Sequence, residues 1–185
     1  SLSGTPVLDS AIGEAAPGCD MTPRTLMPWR SAGKPLTAFL VIQAIETQRL
    51  QLSTPLAELI PEADKTDKAE VTVFDLLTHQ SGFPQTETGW PNSDWPDSIR
   101  TILETPRQLA IGTAAYHPQS SWFLLGEILR RLDPAGATSE FDDILRRRLL
   151  KPLDMHDTTC GLNAEAAKSM ADQLPAAYER DKGQL

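Results

Sequence analysis

With 185 residues, 40% of them hydrophobic and 23% charged, the chain is long enough for one domain with a proper core and too short to expect two. A formal charge of −8 with no long basic block argues against a nucleic-acid or anionic-membrane partner. No apolar run approaches the length of a transmembrane segment.

Residues 1–24 are rich in small residues with little periodicity, and read as an irregular N-terminal segment with a short helix near Asp9–Ala15. They carry neither an initiator methionine nor a basic-then-apolar leader, so any targeting peptide is expected to have been removed or never to have existed. Arg24–Trp29 is a brief extended piece. The pattern over 31–49 is helical: Leu36, Phe39, Leu40, Ile42 and Ile45 leave little polar face before Gln43 and Glu46–Gln48, which predicts a buried helix. Leu50, Leu52, Leu56, Leu59 and Ile60 continue the core up to Pro61. A second helix is expected over 72–79, capped by Thr72 and stopped by Gly82.

Three prolines and two tryptophans in 84–96 suggest an ordered surface loop, followed by a short helix over 97–104. The span 119–132 is amphipathic, with Phe123, Leu124, Ile128 and Leu132 inward. Beyond the break at Asp133–Ala137, Phe141, Ile144, Leu145, Leu149 and Leu150 predict a helix over 139–150 that Pro152 ends. After Asn163 the tail starts helically and turns polar. Strand signals are few, so the chain reads as mainly helical.

One short pattern carries chemistry. Ser31 stands three residues before Lys34 at the head of the apolar helix, on one face with it. A serine hydroxyl becomes a nucleophile when a base takes its proton, and a lysine can be that base if burial or a dipole lowers its pKa. The positive end of a helix favours both that shift and a developing oxyanion. With 12 serines and 6 lysines, chance places about 0.4 such pairs in the chain, so the spacing alone is equally that of a helix cap with a solvated lysine. A phosphate loop is excluded, because Pro28 and Pro35 stand where Walker glycine and Ser/Thr belong. Cys19 and Cys160 have no CxxC spacing, and a disulfide and two free thiols suit them equally. His79, His117 and His156 are far apart, so no metal or cofactor is expected.

The order of several segments adds to this. "TLMPWRSAGKPLTAFLVIQAIETQRLQLSTPLAELIPE", "VTVFDLLTHQSGFP", "YHPQSSWFLLGEILRRL" and "LLKPLDMHDTTCGL" resemble the serine β-lactamase family, and within it the class C branch with its related esterases and D-amino-acid peptidases. The resemblance runs from Thr25 to Leu162, about three quarters of the chain. It implies an α+β, β-lactamase/transpeptidase-like fold, of which this chain covers mainly the helical domain and little of the central antiparallel sheet. Carried over by position, Ser31 is the acylated nucleophile, Lys34 the lysine of the same motif, and Tyr116 the tyrosine that assists proton transfer. His79, in "LLTHQSG", is expected to make a structural hydrogen bond, and His156 to be solvated. Gln85 and His117 are candidates for contact with substrate.

The departures bear on substrate. The family's Tyr-Ser-Asn is Tyr116-His117-Pro118 here, and proline lacks the side-chain amide that asparagine gives to substrate. That favours an ester or peptide carbonyl over an ordinary β-lactam. Asp154 replaces a turn glycine, a position where Asp tolerates positive φ. The later Lys-Thr-Gly or His-x-Gly strand is absent from residues 1–185, so the sheet and third motif are expected from residues outside them. The resemblance implies a serine hydrolase acting through an acyl-enzyme on a small ester, amide or β-lactam, in a compartment it slightly favours as periplasmic or secreted. A non-catalytic scaffold of the same fold and an acyltransferase using the same residues are the alternatives.

Overall fold

Pro35 lies in the first turn of helix α1 (Lys34–Glu46), where a missing backbone N–H costs no hydrogen bond. A 3₁₀ turn, Arg30–Gly33, runs directly into it, and the one-turn helix α2 (Leu56–Leu59) follows it in the chain. The computed structural model describes residues 3–136, 140–161, 164–170 and 174–175, which divide into two compact units. One is Arg30–Cys160; the other is drawn from Ser1–Trp29 and Gly161–Leu185.

In the second of these units, β1 (Glu14–Ala16) pairs antiparallel with β2 (Cys19–Asp20). The helix expected at Asp9–Ala15 is therefore replaced by extended chain. Its cause is local: Gly13 is at φ +96, and Pro17-Gly18, with Gly18 at φ +73, forms a tight turn that a helix could not contain. Helix α7 (Ala164–Ser169) matches the helical start of the tail, whose polar end lies outside the described residues.

Arg30–Cys160 is helical and is organised around α5 (Ser120–Leu132), which packs on α1, on α3 (Val73–Leu77), on α4 (Trp95–Glu104) and on α6 (Phe141–Leu145). A π-helical turn, Arg146–Leu150, continues α6. Leu40, Val41, Ala44, Leu76, Ile102, Leu124, Ile128, Ile144 and Leu145 fill the space between them. Gly126 lets α4 approach closely: a Cβ there would stand 2.9 Å from the Trp95 ring. Contrary to expectation, α1 is not buried all round. Phe39 and Ile42 are 47% and 49% exposed, because α5, α6 and the π turn cover only one of its sides.

Two short stretches carry the caps. Thr72 and Asp75 form a reciprocal capping box at the start of α3. The end of α3 differs from expectation: the helix stops at Leu77, and His79, not Gly82, takes the left-handed position, at φ +61. The Gln80 N–H then donates to the Asp75 carbonyl at 2.8 Å, the closing bond of a Schellman turn. Gly82, at φ +87, is used three residues later to let Arg107–Leu109 pass, and its carbonyl accepts from the N–H groups of Gln108 and Leu109. Lys68 closes the far end of α4. Its side chain is wholly buried, and its ammonium donates to the carbonyls of Leu103 and Thr105 and to Asp67, 2.8 Å away.

Two substitutions test these constraints by urea unfolding at neutral pH. Gly82→Ala would place its Cβ 2.5 Å from the Leu109 carbonyl oxygen at an unfavourable φ, and should cost about 2 kcal/mol or more. Lys68→Met keeps the volume but strips the donor from the buried Leu103 carbonyl and the half-buried Thr105 carbonyl, and should cost about 3 kcal/mol. Unchanged midpoints would contradict the packing described.

Candidate active site

The Ser31 hydroxyl receives two side chains. Lys34 Nζ, one turn along, donates to Ser31 Oγ at 3.1 Å. The Tyr116 hydroxyl, from a segment 85 residues away, donates to the same oxygen at 2.6 Å. The Lys34 ammonium lies over the rings of Tyr116 and Trp122, at 5.2 and 5.7 Å from their centroids. Arg30, just before Ser31, is held at φ +48, a conformation that costs about 1–2 kcal/mol for a residue with a Cβ. Ser31 stands in the turn feeding α1, at the positive end of the helix.

Hydrogen bonding with Ser31, foremost, and with Lys34, together with the Lys34 charge, holds the Tyr116 phenol below its ordinary value. Burial opposes the shift and does not cancel it, since Tyr116 is 54% exposed.

Tyr116 reaches Ser31 because the chain before α5 is tied to the turn after α3. The Ala115 N–H donates to the His79 carbonyl at 2.9 Å, and the His117 N–H donates to His79 Nδ1 at 3.0 Å. The His79 ring lies against Tyr116 with centroids 4.9 Å apart. Farther in, His117 Nε2 accepts the Phe83 N–H at 3.1 Å and faces Ser81 Oγ at the same distance. A backbone N–H only donates, so the His117 proton is on Nδ1, bonded to the Ala115 carbonyl at 2.6 Å. Ser81 also meets Ser121, and Ser120 donates to the Phe83 carbonyl. Burial, foremost, pushes both imidazoles below their ordinary value, aided at His79 by the Lys34 charge.

Ser31, Lys34 and Tyr116 are thus brought together, and the other two candidates are not. His117 is wholly buried, with both ring nitrogens engaged inside the protein, away from the Ser31 hydroxyl. Its ring turns inward to fill the space under Phe83, 5.3 Å away. Gln85 is exposed; its backbone N–H meets Gln108 Oε1 at 3.4 Å, and it makes no hydrogen bond to Ser31, Lys34 or Tyr116. His156 is exposed beside Asp154, which takes the expected positive φ of +58. His79 makes the structural hydrogen bond expected of it, accepting the His117 N–H, and it also takes the left-handed position after α3, which the sequence pattern did not show. Among the described residues no cluster could hold a metal ion.

The sequence model of the Beta-lactamase family matches residues 2–178. Penicillin-binding protein 4 of Amycolatopsis lactamdurans is 26% identical over 157 residues, covering 82% of this chain and 40% of that protein. The Esterase/beta-lactamase LipL of Mycobacterium tuberculosis is 26% identical over 163 residues, 83% of this chain and 36% of that one. Among solved structures, a penicillin-binding protein homologue from Caulobacter crescentus superposes with a TM-score of 0.73 at 26% identity, over 91% of this chain and 44% of its own. The chain spans about a third to two fifths of the curated relatives' length.

The cluster makes a measurable claim about Tyr116. An ultraviolet difference titration, wild type against Tyr116→Phe, should show one phenol ionising below the ordinary value of 10.0. Lys34→Met removes a hydrogen bond and a positive charge that favour phenolate, so it should move that ionisation upward. A curve that Lys34→Met leaves in place would refute the arrangement.

Proposed function

The chain belongs to the beta-lactamase family, and from that premise we propose that the whole protein, of which 1–185 form part of one β-lactamase-like domain, is a serine hydrolase working through an acyl-enzyme on Ser31. The observation that carries this reading is the convergence of Lys34 Nζ and the Tyr116 hydroxyl on Ser31 Oγ, at 3.1 and 2.6 Å. Ser31 Oγ attacks a carbonyl carbon, and its proton passes to the Tyr116 oxygen, a base when ionised beside the Lys34 ammonium. The carbonyl oxygen becomes an oxyanion facing the Ser31 N–H at the start of α1. As the tetrahedral adduct collapses, Tyr116 returns the proton to the leaving alcohol or amine, and Ser31 keeps the acyl group. Water then attacks the ester by the same path and frees the acid. The relative named esterase/beta-lactamase favours ester and lactam-amide carbonyls as substrates.

The exposed Phe39 and Ile42 on α1 suit this reading. We place against them the sheet that family members add, with the third motif and the other half of the oxyanion hole. Pro118 carries no side-chain donor, so penicillin-type substrates should be slow beside short-chain p-nitrophenyl esters.

Labelling by a fluorophosphonate tests the reading in the complete protein. Ser31 should carry the label, Ser31→Ala should abolish it, and Lys34→Ala should slow it by roughly 10²–10⁴-fold. Folded wild-type protein that neither labels nor cleaves esters would decide for a non-catalytic member of the family. Fast penicillin turnover would overturn the weight placed on Pro118.

A further inference from the structure

His79 combines three features that the hydrolase reading does not use. Its backbone is in the left-handed region at φ +61, a position where glycine is free of cost and a histidine is not. Its carbonyl accepts from Ala115 N–H and its Nδ1 accepts from His117 N–H, so it holds both peptide neighbours of Tyr116. Its ring lies against the Tyr116 ring itself. A glycine would complete the Schellman turn equally well and would keep the carbonyl contact. Only the imidazole supplies the second bond and the ring contact, so those are what the strained backbone retains.

We propose that His79 is a positioning residue: its unprotonated Nδ1 accepts the His117 backbone N–H and thereby seats the Tyr116 hydroxyl on Ser31. The proposal rests on the hydrolase reading for its consequence in rate, and on geometry alone for its consequence at Tyr116. It also sets a dependence on acid. A protonated Nδ1 becomes a donor facing a donor, so the bond to His117 N–H is lost. The charged and titratable groups around the ring are Lys34 from α1 and Tyr116 and His117 from the chain entering α5; Trp122 of α5 is the remaining ring neighbour, 5.6 Å away. None of these is an anion that would welcome an imidazolium, unless Tyr116 is ionised, and Lys34 repels one. Burial and Lys34 hold His79 below the ordinary imidazole value of 6.5. The neutral, seating form is therefore complete above that value and is lost as pH falls below it.

Two variants of the complete protein separate this role from a merely structural one. His79→Gly suits the backbone and should leave the unfolding midpoint unchanged or higher. His79→Asn tolerates positive φ and carries an acceptor oxygen near the place of Nδ1, without a proton to gain. Fluorophosphonate labelling of Ser31 should fall roughly 10–100-fold in His79→Gly, and His79→Asn should restore most of it above neutral pH. The ratio of wild-type to His79→Asn rates cancels the titration of Tyr116. It should be flat above neutrality and fall on the acid side of the ordinary imidazole value. In the difference titration, His79→Gly should return the Tyr116 ionisation toward its ordinary value. Folded His79→Gly that labels at the wild-type rate and leaves Tyr116 shifted would overturn the proposal. Wild-type protein that does not label at all would sink the hydrolase reading instead, and the Tyr116 titration would still decide for or against His79.

Discussion

The chain entering α5 is held against the turn after α3 by hydrogen bonds centred on a wholly buried imidazole, and the geometry at Ser31 depends on that docking. His117 Nδ1 takes one side of the interface through the Ala115 carbonyl, and its Nε2 takes the other through the Phe83 N–H. A neutral imidazole is one of the few side chains that can donate and accept in opposite directions across a rigid plane. Ser81, Ser120 and Ser121 complete the joint with hydroxyls that cost little volume in a crowded interior. Tyr116 lies between these anchors, so its position is set from the interior while its hydroxyl stays at the surface.

A second polar assembly lies two turns farther along α5. Glu127 is nearly buried, and it accepts from Trp95 Nε1 at 2.8 Å and from Arg130 and Arg131 on its own helix. Arg131 reaches on to both oxygens of Glu62, at 2.8 and 3.0 Å, a bidentate pair. A buried carboxylate is costly when unpaired, and here three donors meet it. The fold thus has an ion-paired group joining α4, α5 and the Glu62 turn, and a histidine-based group beside Ser31, where Lys34 and the start of α1 bring positive charge.

Much of the fold was legible because it rests on local patterns. Leu124 and Ile128 recur at helical spacing and are both wholly buried; Thr72 with Asp75 is a cap readable by eye; Asp154 stands at positive φ where a glycine would otherwise be needed. Ser31, Lys34 and Tyr116 were legible by resemblance, not by spacing, since 85 residues separate the tyrosine from the serine. What stayed hidden was decided by contacts across the fold. The inward turn of His117 depends on Phe83 and Ser81, 34 and 36 residues away, and nothing in "YHP" reveals it. Phe39 and Ile42 read as core because periodicity reports apolarity and not which neighbours are present. At the end of α3 the usual preference for glycine pointed to Gly82, while His79 took the strained position.

Lys68 has a chemical consequence of its own. Lysines are ordinarily the first side chains that acylating and alkylating reagents find, because their ammonium groups stand in solvent. Here one ammonium has zero exposure and is held by two carbonyls at the end of α4 and by Asp67. A reagent reaches it only when α4 parts from the segment before α3, so its rate of modification is governed by the free energy of that opening and not by intrinsic amine reactivity. The one buried lysine among the described residues is in this way a built-in gauge of how often the bundle breathes.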